Sequence, residues 1–331
     1  MKFATYSSDG RVRAGVVDGD SVHDLPDGAT VLDAVRAGLP EALRLGERAL
    51  ASPSAPLASV RLHAPLEPPT LRDFVAFEEH VEGVVRSVSQ DATVSPEWYL
   101  APTFYFTNPH AVVGPGDEVA VPDGCRELDF ELEVAVVVGA DGANLSPAAA
   151  RDHVFGYTIL NDWSLRDLQR VEMRVNLGPA KGKDFASTLG PWLVTADELE
   201  DHRDPDGLLA LALTAEVNGH EVGRDLLSNM SWTFEELIAY ASRNSEVRAG
   251  DVLGSGTCGN GGCLAELWGR RGAQDPPPLQ PGDVVRLTVE GIGEVSNPVV
   301  AGTAAPPIPQ ARRRPRTRPA EPAAAPSGAT H

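Results

Sequence analysis

Three acidic residues alternate along the run "LDFELEVAVVVG" at residues 128–139. Successive side chains of a strand point to opposite faces, so Asp129, Glu131 and Glu133 are predicted to share one face while apolar residues share the other. Two carboxylates at i and i+2 can converge on one hard divalent cation, which prefers several oxygen ligands. Asp162 in "ILNDWSLRDLQR" follows another β-like run and is a candidate for a third oxygen ligand.

The alternative is a polar strand face that is exposed to water, which is common in antiparallel sheets. Two features count against it. The run "VAVVVG" after Glu133 is apolar on both faces, and Asp162 is followed by Trp163, a residue type that is usually well buried. Carboxylates this close together in a partly dry setting require compensating positive charge.

A lysine in "GPAKGKDF" raises the question of a phosphate-binding loop. The spacing is GxxxGK instead of GxxxxGK, and Asp184 follows Lys183 where such a loop has Ser or Thr. The segment therefore argues against nucleotide binding.

Composition limits the partners. The chain has 331 residues, a formal net charge of −19 and a pI near 4.8, which disfavours nucleic acid or an anionic membrane as partner. No stretch approaches the roughly 20 apolar residues of a membrane helix, and "MKFATYSSDG" lacks the apolar core of a signal peptide. We expect a cytoplasmic protein that acts on a small molecule.

The three cysteines, Cys125, Cys258 and Cys263, form no CxxC pair, as is usual in a reducing compartment. A zinc site at Cys258 and Cys263 lacks a visible second ligand pair nearby. Small buried thiols are the favoured interpretation.

The elements that must position these residues divide into three predicted regions. Residues 1–65 are predicted to form a small N-terminal domain of β-meander and helix, residues 66–303 a catalytic domain, and residues 304–331 a disordered Pro/Ala/Arg-rich tail. Strands without regular βα alternation favour a β-rich α+β roll over a doubly wound sheet.

Within these regions, apolar spacing predicts helices over residues 30–50 with a break near Gly38 and Pro40, over 71–88, over about 162–173 and over 233–243. The last has a capping-box-like start at Ser231 or Thr233. Residues 51–69 are interpreted as a surface linker, and "CLAELWG" as one of the β-like runs.

The tail has five arginines and one glutamate, a net charge of +4, which leaves −23 on the rest of the chain. It is either a solvated tail without function or an arm for self-association or anion binding.

The motifs, taken together, resemble those of the fumarylacetoacetate hydrolase family. "RDFVAFEEHV", "LDFELEVAVVVG", "ILNDWSLRDLQ", "LGPAKGKDFASTLGPWLV" and "GSGTCGNGGCLAEL" occur in that family's order across roughly residues 70–300. The resemblance implies a β-rich roll, usually a homodimer, in which Mg²⁺, or Ca²⁺ or Mn²⁺, holds an oxo-acid or diketone substrate.

By the same resemblance, Glu131, Glu133 and Asp162 match the metal ligands. His80 matches the histidine that activates water, and Glu266 the glutamate that orients it. The remaining matches are the substrate-facing Arg166 and Gln169, the oxyanion-stabilising Lys183, and the substrate contacts Tyr105 and Thr257. Helical spacing predicts that Asp162, Arg166 and Gln169 share one face. The alternatives are an ordinary ion pair of Arg166 with Asp167 or Glu172, a structural role for His80, and a core position for Tyr105.

Two positions depart from the family pattern. Ala76 stands where the archetypal hydrolase has a further aspartate ligand, which leaves water or Glu78 to complete the metal shell. Gly83 stands where decarboxylase-type members have a glutamate one helical turn after the histidine. This difference favours the hydrolase arrangement, with Glu266 as the partner of His80.

The resulting expectation is a divalent-metal-dependent hydrolase of carbon–carbon bonds in ketonic substances, fumarylacetoacetase-like, as used in aromatic compound catabolism. It would act on a β-diketone or acylpyruvate through a metal-bound enolate and water activated by His80. The alternatives are a decarboxylase, hydratase or isomerase of a 2-oxo-dicarboxylic acid on the same site, and a non-catalytic binding protein with a structural cation.

Overall fold

The fold is mixed and strand-rich, as predicted. The computed structural model describes residues 1–88 and 93–318. Its strands are β1 (Lys2–Ser8), β2 (Arg11–Asp18), β3 (Ser21–Asp24), β4 (Ser54–Pro56), β5 (Arg61–Leu62), β6 (Leu71–Phe74), β7 (Phe104–Thr107), β8 (Val112–Val113), β9 (Val119–Val121), β10 (Leu128–Asp129), β11 (Leu132–Val138), β12 (Gly142–Ala143), β13 (Val154–Asp162), β14 (Ser164–Leu165), β15 (Ser187–Thr195), β16 (Ala212–Val217), β17 (His220–Leu226), β18 (Glu246–Val247), β19 (Val252–Gly254), β20 (Val284–Val289) and β21 (Gly293–Ala301). Its α-helices are α1 (Val31–Arg36), α2 (Leu39–Leu50), α3 (Glu78–Val88), α4 (Pro147–Ala150), α5 (Arg166–Met173), α6 (Phe234–Ser242) and α7 (Leu264–Arg271).

A large sheet carries the site. Its strands run in the order β4-β3-β2-β1-β15-β13-β11-β19-β6-β7, with β5 paired to β1 and β8 to β15. A second sheet of order β17-β16-β20-β21-β9 packs against it. Because β11 lies in the middle of the large sheet, with β13 and β19 as its neighbours, its backbone is paired on both sides.

The apolar run of β11 is explained by packing on both faces. Val134 and Val136 join a core with residues of the second sheet, such as Leu287. Ala135 and Val137 join another core with residues of the N-terminal segment, including Phe3. A strand covered on both sides needs apolar residues at every position, and this removes the period-two alternation.

The N-terminal residues share the large sheet with the rest of the chain. β1 pairs antiparallel with β15 through Lys2↔Val194 and Phe3↔Leu193. The predicted domain boundary at residue 65 stays a prediction. The backbone pairing of β1 with β15 joins residues from both sides of that boundary in one sheet.

Three predicted segments differ from the structure. The predicted linker over residues 51–69 contains β4 and β5, which pair with β3 and β1. The predicted helix over 71–88 is strand β6 followed by α3. The β-like run "CLAELWG" is helix α7, because Cys263 caps its N-terminus and Gly272, in the left-handed region at φ 67°, ends it.

Other predicted elements are confirmed. The helix over 30–50 is α1 and α2, broken at Gly38 with φ 83°, and a capping box joins Thr233 and Glu236 at the start of α6. Residues 302–318 have no regular secondary structure and are exposed, and the remainder of the predicted tail, 319–331, lies outside the described residues. No helix within residues 1–88 and 93–318 is long and apolar enough to cross a membrane.

We expect Gly156→Ala to destabilise the protein. Gly156 lies in β13, and a Cβ there would overlap the carbonyl oxygen of Val194 on the neighbouring strand β15. Overpacking of this kind costs typically about 1–3 kcal/mol in the free energy of unfolding. Urea denaturation measures it, with Gly116→Ala as control, because a Cβ at Gly116 meets no atom within 4 Å. Equal stability of the two variants would contradict the close strand packing.

Candidate active site

The site lies where several strands of the large sheet end at one edge. Asp73 in β6, Glu131 before β11 and Glu133 in β11 are buried and offer carboxylate oxygens that lie within 4.8 Å of one another. Gly254 in β19 makes room for them, because a Cβ there would lie 2.7 Å from both Asp73 Oδ1 and Glu133 Oε2. The sheet therefore collects carboxylates that are far apart in sequence.

Asp162 reaches the same cluster through two shared partners. Its Oδ2 accepts a hydrogen bond from Lys183 Nζ at 2.7 Å and another from the hydroxyl of Tyr105, whose oxygen also lies 2.9 Å from Asp73 Oδ2. Asp162 is the last residue of β13, so the predicted helix over 162–173 begins only at Arg166. The expected shared helical face of Asp162, Arg166 and Gln169 is wrong, although strand and helix bring all three to one region.

Asp73 is the carboxylate that the motif comparison missed. The family's further aspartate corresponds to Ala76, which is buried in the same core as Val134 and Val136 and has no ligand atom. Asp73 supplies a fourth carboxylate from three residues earlier because residues 71–74 form a strand. The available signal was an acid in the short stretch "LRDF", between the apolar residues Leu71 and Phe74. Glu78, considered as a ligand, instead accepts a hydrogen bond from the hydroxyl of Tyr99.

The continuous strand predicted over 128–139 is interrupted at Phe130 and Glu131. The break gives Asp129 a separate function. Its carboxylate accepts hydrogen bonds from the amides of Leu264 at 2.8 Å and Ala265 at 3.0 Å, at the N-terminus of α7. A carboxylate is stabilised there by the helix amides and dipole.

Two buried cations neutralise part of the acidic cluster. Arg166 donates from Nε to Asp129 Oδ2 at 2.8 Å and from a terminal nitrogen to Glu131 Oε1 at 2.6 Å. Lys183 Nζ bonds Glu131 Oε2 as well as Asp162. The ion pairs of Arg166 with Asp167 or Glu172 that the sequence left open do not form, because the guanidinium points inward.

Glu172 instead holds the loop that carries Lys183. Its carboxylate accepts hydrogen bonds from the amides of Ala180 at 3.1 Å, Lys181 at 2.7 Å and Gly182 at 3.0 Å. The glycine-containing loop thus wraps around an acid of the same chain, which agrees with the argument against phosphate binding.

The pKa values of the buried carboxylates differ because Arg166 and Lys183 pair with some of them and not with others. Burial alone would raise the pKa of Glu131, but Arg166 and Lys183 lower it to about 2. Burial and then the Asp162 charge raise the pKa of Asp73 to about 7, and burial with Asp73 raises the pKa of Glu133 well above its ordinary value. Burial would lower the pKa of Lys183, but Asp162 and Glu131 outweigh it and raise that pKa.

The charge count favours a bound cation. Five buried carboxylates face two buried cations, Arg166 and Lys183; the carboxylates are those of Asp73, Asp129, Glu131, Glu133 and Asp162. Among the described residues, Asp73 Oδ1 and Asp162 Oδ1 receive no hydrogen bond. Oxygens of this kind fit a hard divalent cation, which would replace the protons that the excess carboxylates otherwise bind.

His80 lies beside the cluster and faces Glu266. His80 in α3 is 7% exposed, and its Nδ1 lies 3.8 Å from Glu266 Oε2 and 3.8 Å from Cys263 Sγ. Glu266, on α7, is fully buried and also lies 2.7 Å from a terminal nitrogen of Arg270. The two side chains face each other at a separation longer than a hydrogen bond, and the predicted function of Glu266 as the partner of His80 stays a prediction.

Gly83 explains why the carboxylate comes from the facing helix. A Cβ at Gly83 in α3 would overlap Cγ of Glu266 in α7. The two helices therefore approach closely at this glycine, and Glu266 occupies the space that a side chain at position 83 would take.

A cavity of about 760 Å³ adjoins the site. Arg166 and Gln169 line it on one side, and Val84, Met173 and Trp268 give it apolar walls. Gln169 Oε1 accepts a hydrogen bond from Arg166 at 3.2 Å. Thr257, by contrast, is buried with its hydroxyl 3.5 Å from Glu133 Oε1, so its predicted substrate contact stays a prediction.

The prediction of small buried thiols holds for two of the cysteines. Cys258 and Cys263 are buried, Cys125 is partly exposed, and all three are free.

The chain matches a known family model and several known proteins. A family model described as "Fumarylacetoacetate (FAA) hydrolase C-terminal" matches residues 70–300. A mitochondrial oxaloacetate tautomerase of Xenopus laevis is 31% identical over 292 residues, which cover 84% of this chain and 85% of the relative.

Two solved structures extend the comparison. The fumarylacetoacetate hydrolase of the psychrophile Exiguobacterium antarcticum has a TM-score of 0.70 and 27% identity, covering 91% of this chain and 100% of its own. The maleylpyruvate hydrolase of Sphingobium sp. SYK-6, in complex with manganese(II) and pyruvate, has a TM-score of 0.68 and 25% identity, covering 92% and 100%.

We expect metal-free protein to lose stability as pH rises from about 4 to about 7. Asp73 has a raised pKa, so the folded state holds a proton that the unfolded chain, with an aspartate pKa near 3.9, has released. Stability is therefore greatest below the unfolded pKa and falls through the folded one, by up to about 4 kcal/mol if Asp73 alone is responsible. Thermal unfolding in EDTA across this range measures the slope.

Excess Mg²⁺ should reduce that slope, because a cation replaces the protons. Asp73→Asn should reduce it without metal. An unchanged slope in Asp73→Asn would show that Asp73 does not carry the effect.

We expect Gly83→Ala to disturb the approach of Glu266 to His80 while it leaves the carboxylate cluster unchanged. The added methyl group displaces Glu266 from His80, and turnover should fall by about 10²-fold, as misplacements near 1 Å can do. Mg²⁺ binding, followed by the shift in melting temperature, should persist. Glu82→Ala, one residue earlier on α3, is the control; equal activity of both variants would disprove the close-approach argument.

Proposed function

The chain belongs to the fumarylacetoacetate hydrolase family, and from that premise we propose that it is a divalent-metal-dependent enzyme that hydrolyses a carbon–carbon bond in a β-diketone or acylpyruvate-type oxo-acid. The observation that carries the proposal is the position of His80, which faces Glu266 at 3.8 Å and has Glu131 of the carboxylate cluster close by. A base held next to a cation site is what attack of water on a chelated carbonyl requires.

Glu131, Glu133, Asp162 and Asp73 are the proposed residues that would hold the cation. A bound Mg²⁺, Ca²⁺ or Mn²⁺ would supply Lewis-acid polarisation of adjacent substrate oxygens. Arg166 supports this arrangement as a positioning residue, because its guanidinium orients Glu131 from the side of α5.

His80 is the proposed general base. Glu266 Oε2 faces Nδ1 at 3.8 Å, and a hydrogen bond that formed between them on substrate binding would hold the imidazole in one tautomer and leave Nε2 to take a proton from water. The proton would later pass to the carbon that leaves. The negative charge of the Glu266 carboxylate is balanced by the Arg270 guanidinium, 2.7 Å away.

Lys183 is the proposed stabiliser of negative charge on the leaving enolate. Its ammonium is buried, permanently charged and anchored by Glu131 and Asp162, so it needs no reorganisation when charge develops. Gln169 and Tyr105 complete the proposed substrate contacts, since Gln169 lines the cavity and the Tyr105 hydroxyl lies among the carboxylates. The proposed assembly is a homodimer.

A second candidate reaction is the tautomerisation or decarboxylation of a 2-oxo-dicarboxylic acid. The relative from Xenopus laevis, which is named an oxaloacetate tautomerase, favours it. In this reaction Lys183 would stabilise an enolate beside the same cation site, and His80 would move a proton between carbon and solvent without adding water.

Turnover of acylpyruvates, fumarylpyruvate and oxaloacetate in excess Mg²⁺ distinguishes the two. We expect carboxylic acids to be released from acylpyruvates, and we expect Glu131→Gln and His80→Ala each to lower kcat by about 10²-fold or more, because each removes a group that acts on the reacting atoms. Acid release, CO₂ release and the ultraviolet absorbance of the enol are followed in parallel.

Glu221→Gln and His220→Gln are matched controls on the exposed hairpin of β16 and β17. Enol–keto exchange of oxaloacetate without acid release would establish the second candidate. If His80→Ala remained active while Glu131→Gln was inactive, His80 would not be the base.

A further inference from the structure

A second set of possible metal ligands overlaps the site and differs from it in chemistry. His80, Glu131 and Cys263 each offer one ligand atom, and these atoms lie within 4.8 Å of one another. All three side chains are at least nine-tenths buried. We call this set the thiol–imidazole cluster.

We propose that the thiol–imidazole cluster is a site for a borderline-soft divalent cation, Zn²⁺, and that Zn²⁺ bound there inhibits the enzyme. Hard cations avoid sulfur, whereas zinc prefers sulfur and nitrogen donors with a carboxylate as a further ligand. The oxygen cluster of Asp73, Glu133 and Asp162 would keep its preference for Mg²⁺.

The spacing fits tetrahedral zinc. With Zn–N near 2.05 Å and Zn–S near 2.3 Å, a tetrahedral angle places nitrogen and sulfur about 3.6 Å apart. His80 Nδ1 and Cys263 Sγ are 3.8 Å apart. A shift of a few tenths of an ångström would bring both into bonding distance of one ion.

The position of Cys263 in its helix supports a function beyond capping. It is the N-cap of α7, and its sulfur accepts a hydrogen bond from the amide of Glu266 at 3.4 Å. Ser, Thr, Asp and Asn are the strong N-cap residues. Serine would cap α7 better, so the cap alone gives no reason for a thiol at this position.

Inhibition follows from the shared residues. On binding, the Cys263 thiol releases its proton to solvent as the zinc–sulfur bond forms. The ring proton of His80 moves through solvent from Nδ1 to Nε2, and the freed Nδ1 lone pair bonds to zinc. With Nε2 protonated, His80 can no longer accept a proton from water. Glu131 would be common to both sites, so Zn²⁺ would also compete with the catalytic cation. This consequence for turnover depends on the proposed function, whereas the site itself does not.

Cobalt(II) is the spectroscopic probe for the site, because a thiolate ligand to Co²⁺ gives a charge-transfer band in the near ultraviolet. We expect this band in the full-length protein in the presence of excess Mg²⁺. It should vanish in Cys263→Ser, which still caps α7, and persist in Cys258→Ser, the matched control for a neighbouring buried thiol. Competition with a chromophoric chelator should show Zn²⁺ affinity at least about tenfold weaker in Cys263→Ser.

His80→Gln is a second variant, and it should likewise weaken Co²⁺ binding about tenfold or more while leaving Cys263 in place. Absence of the band in the wild type, its persistence in Cys263→Ser, or its loss in Cys258→Ser alone would overturn the site. In the turnover assay, Zn²⁺ should inhibit the wild type at concentrations at least tenfold lower than Cys263→Ser. A Cys263-dependent band with turnover insensitive to Zn²⁺ would support the site and overturn the assigned base function of His80.

Discussion

An excess of buried negative charge governs this structure. Asp73, Glu133 and Asp162 lie close to Glu131 and all four are buried, and transfer of each charge from water into such a region is costly. Arg166 and Lys183 offset part of that cost by direct ion pairs. The remaining imbalance raises the pKa values of Asp73 and Glu133 and supports the proposed cation site.

The sheet provides the rigidity that such a cluster needs. Its central strands carry the carboxylates at their ends. Gly254 lets the carboxylates of Asp73 and Glu133 come close to its strand, and Gly83 lets Glu266 come close to its helix, because neither glycine has a side chain. Glycine inside a helix or strand lowers stability relative to alanine, so its presence at positions 83 and 254 indicates that neighbouring side chains must approach the backbone closely there. Precise placement of charged groups by packed elements is a general condition for electrostatic catalysis.

The sequence predicted which residues lie together better than it predicted their geometry. Motif spacing, which does not depend on secondary structure, identified Glu131, Glu133, Asp162, Lys183 and His80 as candidates, and the structure brings these side chains close to one another. Helix α7 was mistaken for a strand, because its eight residues are nearly all buried and a short apolar run has no clear period. Asp73 was missed because its inclusion depends on β6 pairing with β19, a contact between residues about 180 positions apart that no local pattern encodes. Arg166 lines the cavity and also pairs inward with Asp129, and this inward pairing depends on the break in the strand at Phe130, which no local sequence pattern indicates.

Asp129 connects the two halves of the site. The Asp129 carboxylate accepts a hydrogen bond from Arg166, which in turn pairs with Glu131. The same carboxylate accepts hydrogen bonds from the first amides of α7, the helix that carries Glu266. The Asp129 carboxylate therefore helps to hold both the carboxylate cluster and the helix that carries the partner proposed for His80. Substitutions in the two halves should be epistatic: their effects on free energy would not add, because each change is transmitted through the same hydrogen-bonded residue. A lineage that alters the reaction of this enzyme would have to change the metal side and the base side in concert, or retain Asp129 while it changes everything around it.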